Sequence, residues 1–258
     1  MINTKTFFTV LCFFVFLSKT ANAQLRVYNE IGILAGPAAF FTDYGERWNI
    51  RSNLDNGGFG VGIVHYMHFA YRRHCNIYRK KNYLADHFRI RNEIDYMRSN
   101  LEHVGPVAMK KTKGGEQLRA MHGYSETIEI GTHLEYYPFS ISDFTNFSYW
   151  LAPYIGLGFH YVRYFPDAYS DLGSFKTPGV LFPTFEDGLN LEDGHTTAIA
   201  GNLGLRYHIA PRHDILMEAR WQYYDTDWLE GLNIQAKQNQ YNDFIFWFNI
   251  GYVYYINL

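Results

Sequence analysis

Ionisable side chains recur at every second position of several apolar stretches, a spacing that sets them on one face of a strand. Arg89, Arg91, Glu93 and Asp95 alternate with Phe88, Ile90, Ile94 and Tyr96. Glu129 and Glu135 alternate with Ile128, Ile130, Leu134 and Tyr136, and Arg206, Glu218 and Arg220 stand in two further stretches of this kind. Acids and bases in an apolar setting are tolerated when paired or hydrated, so these nine residues predict an ion-pair network inside a closed structure. A gated conductance, or a ligand held by the same charges, is the alternative.

Other chemistries find less support. A nucleophilic site needs Ser or Thr within reach of a His that a third group orients. His122 and Ser125 have opposite parity on one strand and face different ways, while His65, His133, His160 and His208 have no Ser two positions away. No catalytic residue is assigned, and no metal or cofactor is expected. Asp225-x-Asp227-x-x-Glu230 departs from the calcium-loop spacing, with Gly231 misplaced and no distal Glu, and predicts a hydrogen-bonded turn carrying surface acids. Asp167, Asp171, Glu186, Asp187, Glu192 and Asp193 suit either bridging to lipopolysaccharide through divalent ions or a solvated acidic loop. The basic run Arg72, Arg73, His74, Arg79, Lys80 and Lys81 suits lipid phosphates or an acidic protein partner, or is a solvated turn.

The elements that must position these groups follow from composition and periodicity. The 258 residues are 47% hydrophobic and 19% aromatic with a net charge of -2, which excludes a disordered chain. A pI near 6.6 excludes a basic nucleic-acid binder. Lys5, the apolar run Phe7 to Leu17 and Ala21-Asn22-Ala23 predict a secretory signal peptide over residues 1–23, which removes Cys12 and leaves Cys75 without an internal partner. The mature product, 24–258, then holds 21 basic against 25 acidic residues once Lys5 and Lys19 are lost.

Period-two alternation predicts eight strands, at about 28–40, 57–71, 86–99, 121–137, 150–164, 195–210, 213–225 and 242–258. Glycines share the charged face: Gly58, Gly60 and Gly62 oppose Phe59, Val61 and Ile63, and Gly156 and Gly158 oppose Ile155, Leu157 and Phe159. Small residues alternating with large charged ones suit the crowded interior of a narrow closed barrel, where each bulky side chain needs space across the lumen. Long polar connections at one end and shorter ones at the other match the outer loops and periplasmic turns of an eight-stranded antiparallel transmembrane β-barrel. A secreted β-sandwich is the competing fold. The last segment, with Asn249, Gly251, Tyr254 and Ile256, resembles the terminal signal read by the barrel assembly machinery.

Longer strings carry a family resemblance. Glu30-Ile-Gly with Gly36-Pro37, Phe41-Thr-Asp-Tyr-Gly-Glu-Arg47, Leu134-Glu-Tyr-Tyr-Pro-Phe139, Arg220-Trp-Gln-Tyr-Tyr with Asp227-Trp228 and Gly231-Leu-Asn233, and Trp247-Phe-Asn-Ile-Gly-Tyr together resemble a family of small Bacteroidota-type outer-membrane barrels. In size and opening the chain is also similar, more remotely, to the PorG-type accessory barrel of type IX secretion. The resemblance implies a bacterial outer-membrane location after cleavage near Ala23, a non-enzymatic role in an envelope assembly, and partners among membrane lipid, the assembly machinery and a periplasmic or secretion-complex protein. No nucleic acid is expected. Arg72, Arg73, Arg79, Lys80 and Lys81 fall in the first periplasmic connection, where such a protein would dock.

Overall fold

The computed structural model describes residues 27–44, 53, 56–68, 82–234 and 241–256. Eight strands are present: β1 (Tyr28–Phe41), β2 (Gly57–His68), β3 (Phe88–Glu102), β4 (Met121–Tyr136), β5 (Leu151–Ser170), β6 (Gly194–Ala210), β7 (His213–Tyr224) and β8 (Phe244–Tyr255). Among the described residues, the connections hold the short α-helices α1 (Tyr83–His87), α2 (Lys113–Ala120) and α3 (Ile141–Thr145). Each strand pairs antiparallel with the next, and β1 pairs with β8 through Leu34↔Gly251 and Ala38↔Trp247, so the sheet closes on itself. Closure leaves no sheet edge around the wall, the requirement for strands in lipid.

Which face points outward is settled by the alternation. On β5, Tyr154 and His160 are buried whereas Leu157 between them is 71% exposed; on β6, Arg206 is buried and Ile199 is 64% exposed. Exposed apolar residues run on β6 from Ile199 to Ile209, ten steps of ~3.3 Å, or ~25 Å of height at the usual barrel tilt. That equals the apolar band of a membrane-spanning barrel. Aromatic clusters flank it: Phe41, Trp221 and Phe244 pack with ring centroids 4.4–5.8 Å apart toward one end, and Tyr252 packs on His213 toward the other. The fold is therefore a closed eight-stranded antiparallel barrel of the transmembrane kind.

Several expectations need correcting. β5 continues to Ser170 rather than ending near 164, because β4 also reaches past the wall and pairs with it (Met121↔Ser170), itself backed by β3 (Glu102↔His122). β6 joins β5 no further than Tyr164↔Gly194, so Pro166, which lacks an N–H, sits where β5 has one free edge and costs no ladder bond. Glycines make room both for the interior and sideways: Gly60 of β2 leaves space for the Trp247 ring of β8, which is not a neighbouring strand, and others serve their register partners. Gly131 is the register partner of His160 and Gly158 of His133; a Cβ on either would stand 2.7 or 2.5 Å from the neighbouring imidazole.

The long connections are not solvated loops. Their acids Asp171, Glu186, Asp187, Glu192 and Asp193 stay exposed, but Leu118, Leu181, Phe185, Leu229, Leu232 and Ile234 pack together as a cap continuous with the barrel core. Gln117 on α2 donates to the carbonyls of Gly179 (2.8 Å) and Leu181 (3.0 Å), and Asn190 N donates to Gly231 O (2.8 Å). Gly231 takes φ 77°, the left-handed conformation that its turn needs and that other residues avoid. At the opposite end, where β1 begins and β8 ends, α1 and α3 are tied by Asp86, which accepts from Ser140 Oγ (2.6 Å) and Ser142 N (2.9 Å). Phe144 and Phe147 from that turn pack at a tilt against His208, with ring centroids 5.1 and 4.1 Å away, beneath the barrel mouth.

Candidate functional site

All nine predicted lumen residues are buried, none more than 3% exposed. They form a continuous stack with residues that strand parity alone also brings inward. Nearest the end where β1 begins, Glu30 of β1 accepts from Arg89 of β3 (2.8 and 2.9 Å) and Arg206 of β6 (2.6 Å), with His68 Nε2 at 3.2 Å. Arg206 also reaches Asp214 (3.3 Å) and lies over the Tyr66 ring at 4.1 Å. Asp214 accepts from Tyr255 Oη (2.6 Å) and pairs with His208.

The next level spans the full lumen. Arg91 of β3 meets Glu218 of β7 at 2.6 Å, Glu135 at 3.0 Å and Glu93 at 3.0 Å. Glu218 further accepts from Tyr154 Oη (2.8 Å) and Asn202 Nδ2 (2.7 Å). Arg220 reaches back from β7 to Glu93 (2.8 Å), Asp95 (2.8 Å) and Glu218 (3.1 Å), with its guanidinium 4.7 Å over Trp247. Toward the cap, Glu129 accepts from Gln222 Nε2 (2.6 Å) and Tyr224 Oη (2.6 Å).

His133 and His160 complete the centre, with Nε2 atoms 2.7 Å apart and both near Glu93. His133 shares the parity of Glu129 and Glu135, and His160 that of Gly156 and Gly158; Glu30, His68, His208 and Asp214, outside the nine predicted lumen charges, likewise share the inward parity of their strands. Filled by four arginines and by Trp247, Tyr66, Tyr154 and Tyr224, the interior is packed rather than open.

The remaining predicted sites divide. Asn249 and Gly251 face inward, Asn249 Nδ2 donating to Glu218 at 3.4 Å, while Tyr254 packs on His213 and Ile256 is exposed, its N–H bonded to Asn29 O at 2.9 Å. Arg72, Arg73, Arg79, Lys80 and Lys81, like residues 1–23, lie outside the described residues. His122 turns outward to Asp171 (3.3 Å) whereas Ser125 donates inward to Leu229 O (2.6 Å), so the two point to separate partners. Glu230 is buried rather than a surface acid: it accepts from Asp43 N at 2.6 Å and ties the first long connection to the last. Burial and the neighbouring Asp243 and Asp43 raise its carboxyl well above the ordinary range.

These features define the chain as a small membrane barrel with an internally paired, filled lumen. No family model matches it, and no curated protein does either. Among solved structures it is similar to Ail, the attachment invasion locus protein of Yersinia pestis, crystallised with the heparin analogue sucrose octasulfate, at 12% identity over 90% of this chain and 99% of that one (TM-score 0.43). Neisserial surface protein A is similar at 14% identity over 88% and 96% (TM-score 0.43), and the outer membrane protein OprG of Pseudomonas aeruginosa at 12% over 88% and 94% (TM-score 0.36).

Proposed function

We propose that this protein is a non-enzymatic, integral component of the bacterial outer membrane whose barrel anchors an accessory surface rather than conducting solutes. The observation that carries the reading is the pairing of an apolar outer belt with a lumen filled by ion pairs from Glu30 to Glu129. A wall built this way is stable in lipid and has no need of a hydrated interior. In the fold's natural orientation the termini and short turns face the periplasm and the cap faces outward.

Support for an accessory role, extending to type IX secretion, comes from the family resemblance and from the basic run Arg72, Arg73, Arg79, Lys80 and Lys81, whose arginines are suited to anchoring an interface with an acidic periplasmic partner. Two experiments test the proposal. The protein should fractionate with the outer membrane and shift in gel mobility on boiling, and planar bilayers should show no discrete conductance; a soluble periplasmic protein, or resolved channel openings, would refute it. Neutralising the five basic residues should abolish crosslinking to an envelope complex while the barrel still assembles, and deletion should impair secretion. Unchanged crosslinks would remove this docking surface, and unimpaired secretion would remove that role.

A further inference from the structure

The middle of the lumen carries more acid than base. Glu93, Asp95, Glu129, Glu135 and Glu218 face Arg91 and Arg220 among the described residues, an excess of three carboxylates in a buried space. Buried charge of one sign must be met by protons or by a cation. At that point three donor atoms from three adjacent strands converge: His133 Nε2 and Glu93 Oε1 are 2.7 Å apart, His133 Nε2 and His160 Nε2 are 2.7 Å apart, and His160 Nε2 and Glu93 Oε1 are 3.1 Å apart. The three ligand atoms form one compact group, and Asp95 and Glu129 form a second with the same His160.

We propose that the lumen binds one divalent transition-metal ion of the zinc class through His133 Nε2, His160 Nε2 and Glu93 Oε1. An ion ~2.1 Å from each atom would lie ~1.3 Å out of their plane with ligand–metal–ligand angles of roughly 80–95°, so the three atoms spread slightly toward the tetrahedral arrangement as it enters. Borderline imidazole nitrogens with one carboxylate are the donor set that zinc and its neighbours prefer over calcium or magnesium. Glu129 Oε2, 3.1 Å from His160 Nδ1, orients that ring and holds its proton on the far nitrogen, the usual carboxylate–histidine–metal arrangement. Gly131 and Gly158 leave the space in which the two rings stand, so larger residues there would push them out of the ligand triangle. Arg220, 2.8 Å from Glu93 Oε1, competes for that oxygen, and its bond to Glu93 Oε2 at 2.8 Å keeps the carboxylate oriented when Oε1 ligates.

The test uses untagged protein refolded into micelles with chelator present, its folding verified by heat-modifiability, then refolded again with zinc or cobalt. One ion per chain is expected. Cobalt should give visible ligand-field absorption, and X-ray absorption of the zinc form should show two imidazoles at ~2.0–2.1 Å. His133→Gln and His160→Gln should abolish stoichiometric binding, Glu129→Gln should weaken it ~10–100-fold, and His68→Gln and His208→Gln should leave it intact. Folded wild type that retains no ion, or a zinc form lacking two imidazoles, overturns the proposal without recourse to any variant. Unchanged binding in folded His160→Gln overturns it as well, and protons are then what balance the excess acid.

Discussion

Replacing Arg91 with Met should be among the most damaging single changes to the barrel. The guanidinium is fully buried and serves three carboxylates from three strands. Two of them keep another base after its loss: Glu218 and Glu93 both pair with Arg220. Glu135 does not. Its remaining hydrogen bond is from Tyr137 Oη at 2.8 Å, so the substitution strands a buried carboxylate without an ion-pair partner. Breaking a buried pair from one side costs ~3–5 kcal/mol, a large part of the ~5–15 kcal/mol that holds a typical domain folded. Urea titration of the folded band, read by gel mobility without boiling, measures this directly. Glu135→Gln in the Arg91→Met background removes the stranded charge and should recover at least ~1–2 kcal/mol, a coupling that independent sites would not show. An Arg91→Met midpoint within ~1 kcal/mol of wild type, or no recovery on adding Glu135→Gln, would refute the pairing scheme.

Other consequences can be tested alongside. Gly158→Ala should destabilise by ~1–3 kcal/mol because its Cβ meets the His133 ring at 2.5 Å, whereas Gly201→Ala, with nothing within 4 Å, should be neutral; the midpoint of heat-induced mobility change compares them. His103 in the cap, stacked on Tyr44 and Phe185, is pushed down to about 3 by burial and then by His122. A folded value below the ordinary 6.5 means full stability above that pH and progressive loss as pH falls toward 3, with a slope of at most ~1.4 kcal/mol per pH unit because a single proton is taken up. Protection factors over residues 225–234, corrected for the intrinsic exchange rate that itself slows in acid, should therefore fall on acidification, and His103→Phe should suppress this. Glu230 runs the other way: its raised carboxyl favours the fold below about 4.5 and loses that contribution as pH rises through the folded value. Glu230→Gln, which keeps an oxygen for Asp43 N, should make the cap more protected than wild type at pH 8 by the same measurement. Equal protection would show that Glu230 is ionised in the fold.

Much of the architecture was legible without coordinates. Period-two alternation from Phe88 to Tyr96, Thr127 to Glu135 and Asp214 to Tyr224 assigns each side chain to a face, since successive residues of a strand point oppositely whatever surrounds them. Hence the number of strands, their approximate limits and the inward position of the nine charges were all determined locally. Partner identity was not. Arg91 and Glu218 stand on β3 and β7, four strands apart and on opposite sides of the lumen, and lie 127 residues apart in the chain. Which charges share a level depends on strand tilt and stagger, properties of the closed sheet that no strand contains. The meeting of Glu93, His133 and His160 has the same origin, from registers that set Glu93 beside Gly131 and His133 beside Gly158. The cap is likewise a product of tertiary structure. Leu181, Phe185, Leu229 and Leu232 follow neither period among polar neighbours, and became a core only when the closed wall brought four separate connections over one mouth.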